Sequence, residues 1–167
     1  MKMTESRGKI ELATLESQYK DVNKEDIITK FTNQKIPLEI VTRMQELWDK
    51  TKVIAGQVFS IGKIILIKIW DFISKNKHLA IGVALGAAIG ALVNLIPLIG
   101  NFIAPLTITV GAFIGGIAGM QLDKVANGQL PSTTPFDFFG DAILIARQFF
   151  ELLADIFKAV AINFAEI

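Results

Sequence analysis

The sequence predicts an all-α membrane protein, with a central transmembrane helical hairpin flanked by long amphipathic helices. Three observations predict it. No Asp, Glu, Lys or Arg occurs from Leu79 to Leu122, a run of 44 residues. That is enough for two passes of about 20 residues across a hydrocarbon core about 30 Å thick. Within the run, glycine recurs twice at four-residue spacing. On either side of it, apolar residues recur at helical spacing opposite charged stripes. Whole-chain figures decide less: 167 residues suggest one domain, and an apolar share of 51% is ordinary.

Charge divides the chain into three parts. Residues 1–78 carry 14 basic and 10 acidic side chains, residues 79–122 none, and residues 123–167 carry 3 and 6. The net charge of +1 gives no basis for a nucleic-acid partner. Cysteine is absent, which excludes a disulfide framework and thiolate chemistry.

Residues 1–35 read as a polar, partly disordered segment. Ile10, Leu12 and Leu15 form only a weak stripe, too little to offset the entropy of ordering. The segment has no apolar stretch of the kind a secretory signal needs. Asn23 is placed to cap a short helix from Lys24 to Phe31, with Glu25 and Asp26 in its first turn. Pro37 suits the first position of the next helix.

Residues 36–75 read as one amphipathic, interfacial helix. Glu39, Arg43, Glu46 and Lys50 share a polar stripe; Val41, Met44, Trp48 and Ala55 lie opposite. Residues 53–74 are long enough to span a membrane. Lys63, Lys68 and Asp71 oppose that, at about 2.5–3.5 kcal/mol for each charge at a bilayer centre. Lying in the interface costs less. Lys63, Lys68, Lys75, Lys77 and His78 then sit at the headgroup level with Trp70. A helix packed on a protein partner and a third span remain open alternatives.

Residues 76–124 form the expected hairpin, with spans at 76–96 and 105–122. Asn94, Pro97, Gly100, Asn101 and Pro105 mark the connection, where breakers cluster. Lys75, Lys77 and Lys124 flank the open end, so the positive-inside rule puts both termini in the cytoplasm if there are two spans in the inner membrane. Residues 125–135 are a linker. Residues 136–167 are an amphipathic helix, with Thr134 as cap and Pro135 at its first position. Its polar face is acidic, which disfavours adsorption to anionic lipid. Packing against the more basic 36–75 helix is at least as good an option.

The sharpest motif is a pair of glycine zippers, Gly82, Gly86 and Gly90 in the first span and Gly111, Gly115 and Gly119 in the second. Residues four apart stack on one helix face, so two backbones can approach closely there. The strips either pair within one hairpin or join protomers into a homo-oligomer. Thr107 and Thr109 suit hydrogen bonds to the preceding turn. His78, the sole histidine, reads as an interfacial polar residue, and no histidine cluster exists to hold a metal. No GxSxG, P-loop or HExxH occurs, and the glycine runs follow no strand. An enzyme is not expected, nor is a cofactor.

The stretch LAIGVALGAAIGALVNLIPLIG…TVGAFIGGIAGMQLDK resembles the glycine-zipper two-span segments of bacterial membrane proteins. It is also similar to the uncharged hydrophobic hairpin of colicin-type pore-forming domains. The resemblance covers residues 79–122 and rests on composition and spacing. The uncharged hairpin, the paired zippers and the long amphipathic flanks point to a self-associating membrane protein, most concretely one that forms a pore or permeabilises a membrane, as a toxin, holin-like protein or defence effector does. The alternatives are a non-conducting scaffold, anchor or membrane-shaping protein with a cytoplasmic partner, and a soluble helical bundle that inserts on a trigger. The lipid bilayer and a second copy of the chain are the expected partners.

Overall fold

The computed structural model describes residues 2–96, 99–114 and 137–160, with the side chains of 113, 114 and 137–139 left out. Seven helices and one β-hairpin are present among them: α1 (Glu5–Gln18), α2 (Lys24–Thr32), α3 (Leu38–Trp48), β1 (Lys52–Ile54), β2 (Gln57–Phe59), α4 (Ile61–Lys75), α5 (Ile81–Leu95), α6 (Gly100–Ile114) and α7 (Asp137–Ala159). The fold is therefore mainly helical, as expected. Among the described residues no helix is long and apolar enough to cross a membrane.

The N-terminal part departs from expectation in α1, which orders Glu5–Gln18; α2 lies where a short helix was expected. Thr4 caps α1, its hydroxyl oxygen accepting from the Arg7 N–H at 3.2 Å. The apolar stripe is as thin as it looked, with only Gly8 and Leu12 buried within the helix. Order comes from close approach to α7. A Cβ on Gly8 would stand 2.6 Å from the Ala159 Cβ and 3.3 Å from the Ile156 carbonyl. Tyr19, at the C-cap, is buried as well. Asn23 caps α2 through the Asp26 N–H at 3.2 Å, as its position suggested. Pro37 lies one place outside α3, at its N-cap.

The single helix expected over 36–75 is two helices with a β-hairpin between them. β1 and β2 pair antiparallel, with Val53 opposite Val58 and Ile54 opposite Gln57. Ala55 and Gly56 make the turn, both at positive φ (52° and 83°). This is the pattern of a two-residue hairpin whose twist matches its strands. Ile54 and Phe59 point into the core, while Val53 and Val58 stay exposed. Ala55, Val58 and Phe59, at three- and four-residue spacing, also fit a helix, and that ambiguity hid the hairpin.

The hairpin lets the chain fold back so that α4 starts against the end of α3. Gly62 makes this possible. Its N–H donates to the Lys50 carbonyl at 3.0 Å, and a Cβ there would fall on the Leu47 carbonyl. Glu16 of α1 secures the same junction. Its carboxylate accepts the Ser60 N–H at 3.0 Å and the Ser60 hydroxyl at 2.8 Å. α4 is a core helix: Ile61, Ile64, Ile65, Leu66, Ile69 and Phe72 are inaccessible or nearly so.

α5 occupies the centre. Nine consecutive residues, Ala84 to Leu92, are buried, so the helix is enclosed on all sides. Among the described elements α7 is its most extensive neighbour, followed by α6 and α4. α7 meets it with Phe150, Leu153 and Phe157, and turns Asp141, Arg147, Glu151 and Asp155 outward. Over residues 140–159 this helix is amphipathic; residues 136 and 161–167 and the 125–135 linker lie outside the described residues. α7 touches α4 near one end only, where Phe72 packs against Phe149 and Phe150 at centroid distances of 5.5 and 5.7 Å. Among the described residues no ion pair crosses that seam.

Two substitutions test this packing. Gly62→Ala is expected to cost about 3 kcal/mol in urea unfolding, because backbone rather than a flexible side chain blocks the added methyl. Tyr19→Phe is expected to raise stability by about 1 kcal/mol. The Tyr19 hydroxyl is buried and has no hydrogen-bond partner among the described residues, and an unsatisfied buried hydroxyl is a net cost.

Candidate functional site

The candidate site is the charge-free segment and the side chains around its ends. The first zipper lies in α5, where Gly86 and Gly90 are buried and Gly82 is half-buried. Glycine and alanine fill most of the central turns, which keeps α5 thin enough for α7, α6 and α4 to close around it. A helix that is apolar around its whole circumference has to be buried, in protein or in lipid. Here protein does it.

The second zipper is different. Gly111 is half-buried on α6, and a Cβ there would meet nothing within 4 Å. Gly111 is therefore not in close contact with a described helix. Gly115 and Gly119 lie outside the described residues. α6 buries Ile99, just before its start, then Ile103, Leu106 and Val110, a stripe at three- and four-residue spacing that faces α3 and α5. Its other face holds Asn101, Pro105, Ile108 and Ala112, all exposed, with Ile108 at 73%. No residue of α6 is charged. Water-facing helix surfaces normally carry charge, so this outer face is anomalous for a helix meant to stay in water.

The connection is shorter than expected. Asn94 is half-buried near the end of α5, Gly100 opens α6, and Asn101 lies in its first turn. Pro97 is outside the described residues. Pro105, expected to break the chain, sits inside α6. It removes one helical hydrogen bond, to the carbonyl of Asn101, at a place where both residues face out. Thr107 and Thr109 bond back to the Ile103 and Pro105 carbonyls at 3.2 and 2.8 Å, as their positions suggested.

The expected interface residues are brought together only in part. Lys63 lies over the Trp48 ring at 5.5 Å and donates to the Lys20 carbonyl at 3.3 Å. Lys68 covers Tyr19 at 5.9 Å, and Lys75 covers Phe149 at 5.4 Å. These three lysines close the edges of aromatic packing inside the bundle, with their charge held over ring faces. Trp70 stands edge-on to Phe31 at 5.4 Å and is half-buried. Lys77 and His78 are exposed before α5 begins. Gly8, Gly62 and Glu16 escaped sequence reasoning, because each acts on a distant segment and none belongs to a spacing pattern. Among the described residues no group of acidic or histidine side chains is arranged to hold a metal.

No family model, curated protein or solved structure matches this chain.

The open strip on α6 makes a direct expectation. Gly111→Ala should stabilise the bundle by about 0.5–1 kcal/mol in chemical unfolding, since the methyl meets no atom and alanine favours the helix.

Proposed function

We propose that the chain is a membrane-permeabilising protein that self-associates through its glycine strips, and that the helical bundle holds the charge-free segment before insertion. One observation carries this reading. The second helix of that segment turns an uncharged face outward, with Ile108 at its centre. A segment serving only as the core of a water-soluble bundle has no need to omit charge from its outward face, whereas entry into lipid requires it. The burial of Ala84 to Leu92 supports the same reading, since a helix stretch with no polar side is kept from water in the bundle.

Insertion requires rearrangement. The 15 residues of α5 span about 22 Å as a helix, short of a core about 30 Å thick. Continuing the helix through residues 76–96 supplies the missing turns. On this proposal the hairpin enters the membrane with both termini on one side, the cytoplasmic one for an inner membrane. The amphipathic α7, freed from α5, then faces the interface, a pore lining or a second copy. A non-conducting scaffold is the second reading, favoured by the lack of charged side chains along 79–122, which leaves the hairpin alone without a wet lining.

Release of a trapped dye from lipid vesicles tests the proposal, with Ile108→Lys as the informative variant. Ile108 is exposed, so the lysine should leave the unfolding midpoint nearly unchanged, within about 0.5 kcal/mol. In a span that begins at Gly100, as α6 does, Ile108 is the ninth residue and lies near mid-membrane. A lysine there costs about 2.5–3.5 kcal/mol, so release should fall more than about tenfold. Tight vesicles with the parent protein inserted would overturn permeabilisation in favour of the scaffold.

A further inference from the structure

Two large clefts open on the described surface, and they differ in charge. One, between α3 and α6, is rimmed by Arg43, Glu46, Asp49 and Lys50. Both its acids are engaged and stand beside Lys50: Glu46 pairs with Arg43 at 3.0 Å, and Asp49 with Lys24 at 2.9 Å. The other, of about 380 Å³, lies where α5 begins. Its apolar wall includes Trp70, Leu79 and Ile81; its polar groups are Gln34, Ser74 and Lys77. No acidic side chain lines it. Lys77 makes no ion pair among the described residues, and its chain neighbour His78 and Gln34's neighbour Lys35 are exposed beside it. Asp71, the acid of α4, lies on the helix that supplies Trp70 and Ser74 but is not part of the lining.

We propose that this cleft binds the phosphate headgroup and adjoining acyl carbons of an anionic phospholipid, docking the bundle on a membrane by the end from which α5 emerges. The inference rests on the membrane-permeabilising reading and names the lipid class and the point of first contact. An unpaired lysine with an amide and a hydroxyl supplies donors for a phosphate. Trp70, Leu79 and Ile81 supply an apolar wall, and tryptophan is suited to the headgroup level. The volume lies within the range of small-molecule sites, about 300–1,000 Å³. The position matters as much as the chemistry. Leu79 is the first residue of the charge-free run, so lipid held here lies against the segment that would enter the bilayer.

The test uses the full chain with Trp48→Phe, which leaves Trp70 as the sole tryptophan. Vesicles of phosphatidylcholine, with or without phosphatidylglycerol, are compared using acyl-brominated lipid as quencher. Trp70 emission is expected to shift to the blue and to be quenched on the anionic vesicles. Lys77→Glu, with an unchanged unfolding midpoint, is expected to weaken binding about tenfold or more. Inorganic phosphate alone is expected to leave the emission unchanged.

Equal binding of Lys77→Glu and parent, equal binding to both vesicle types, or unquenched Trp70 on bound protein would each overturn the cleft as the lipid site. Response to inorganic phosphate without lipid quenching would assign it to a free anion and overturn the lipid. Dye release reports separately on the parent reading. Quenched Trp70 over sealed vesicles keeps the docking site and removes permeabilisation; leakage with Trp70 unquenched does the reverse.

Discussion

Ala84 to Leu92 of α5 form a helix with no polar face, and the bundle is organised by the need to cover it from every side. An amphipathic helix can satisfy water on one side and the core on the other. α5 has no such second side, so it needs neighbours around its circumference. Among the described residues α7 supplies the largest one, with a stripe of Phe150, Leu153 and Phe157, and α6 and α4 add to it. The glycine and alanine content sets how near those helices come. Thin turns bring backbones close, so packing is gained through backbone contact where bulky side chains are missing.

The cover needs fastening, and the fasteners are few and local. α1 has a weak apolar stripe, yet it joins two distant parts of the chain. Gly8 lets it settle on α7 beside Ile156 and Ala159, and Glu16 holds Ser60 at the entrance to α4. Gly62 performs a related service between α3 and α4, where carbonyl groups occupy the space of a side chain. Lysines on α4 add a third kind of contact. Lys63, Lys68 and Lys75 rest over aromatic rings, so a helix with a largely buried surface keeps its cations at the margin. The same lysines that seemed suited to lipid headgroups are thus engaged within the protein.

Much of the helical content was legible in the chain. The Asn23 cap, the stripe of α3, the uncharged segment and the amphipathic α7 all follow from local rules of capping and periodicity. The N-terminal helix was not legible, since its order depends on Gly8 meeting a helix about 150 residues away along the chain. The β-hairpin was hidden for a different reason: Ala55, Val58 and Phe59 satisfy a helical spacing, and Ala55 is an uncommon residue at positive φ. Within the candidate site, the two glycine strips look equivalent in sequence. In the bundle, Gly86 and Gly90 are buried while Gly111 faces open space.

By itself the sequence determined that the chain is helical, that one 44-residue segment excludes charge, and that amphipathic helices stand on either side of it. Each of these is a matter of composition and period, which neighbours along the chain express without help. Only the tertiary structure decided which helix is enclosed, which uncharged face is left outside, and where Trp70 and Lys77 meet. A helix that is apolar all round is equally at home in lipid and in a protein core, so periodicity cannot choose between them. The choice comes from whether other segments bring enough apolar surface to surround it; among the described residues, α4, α6 and α7 contribute that surface.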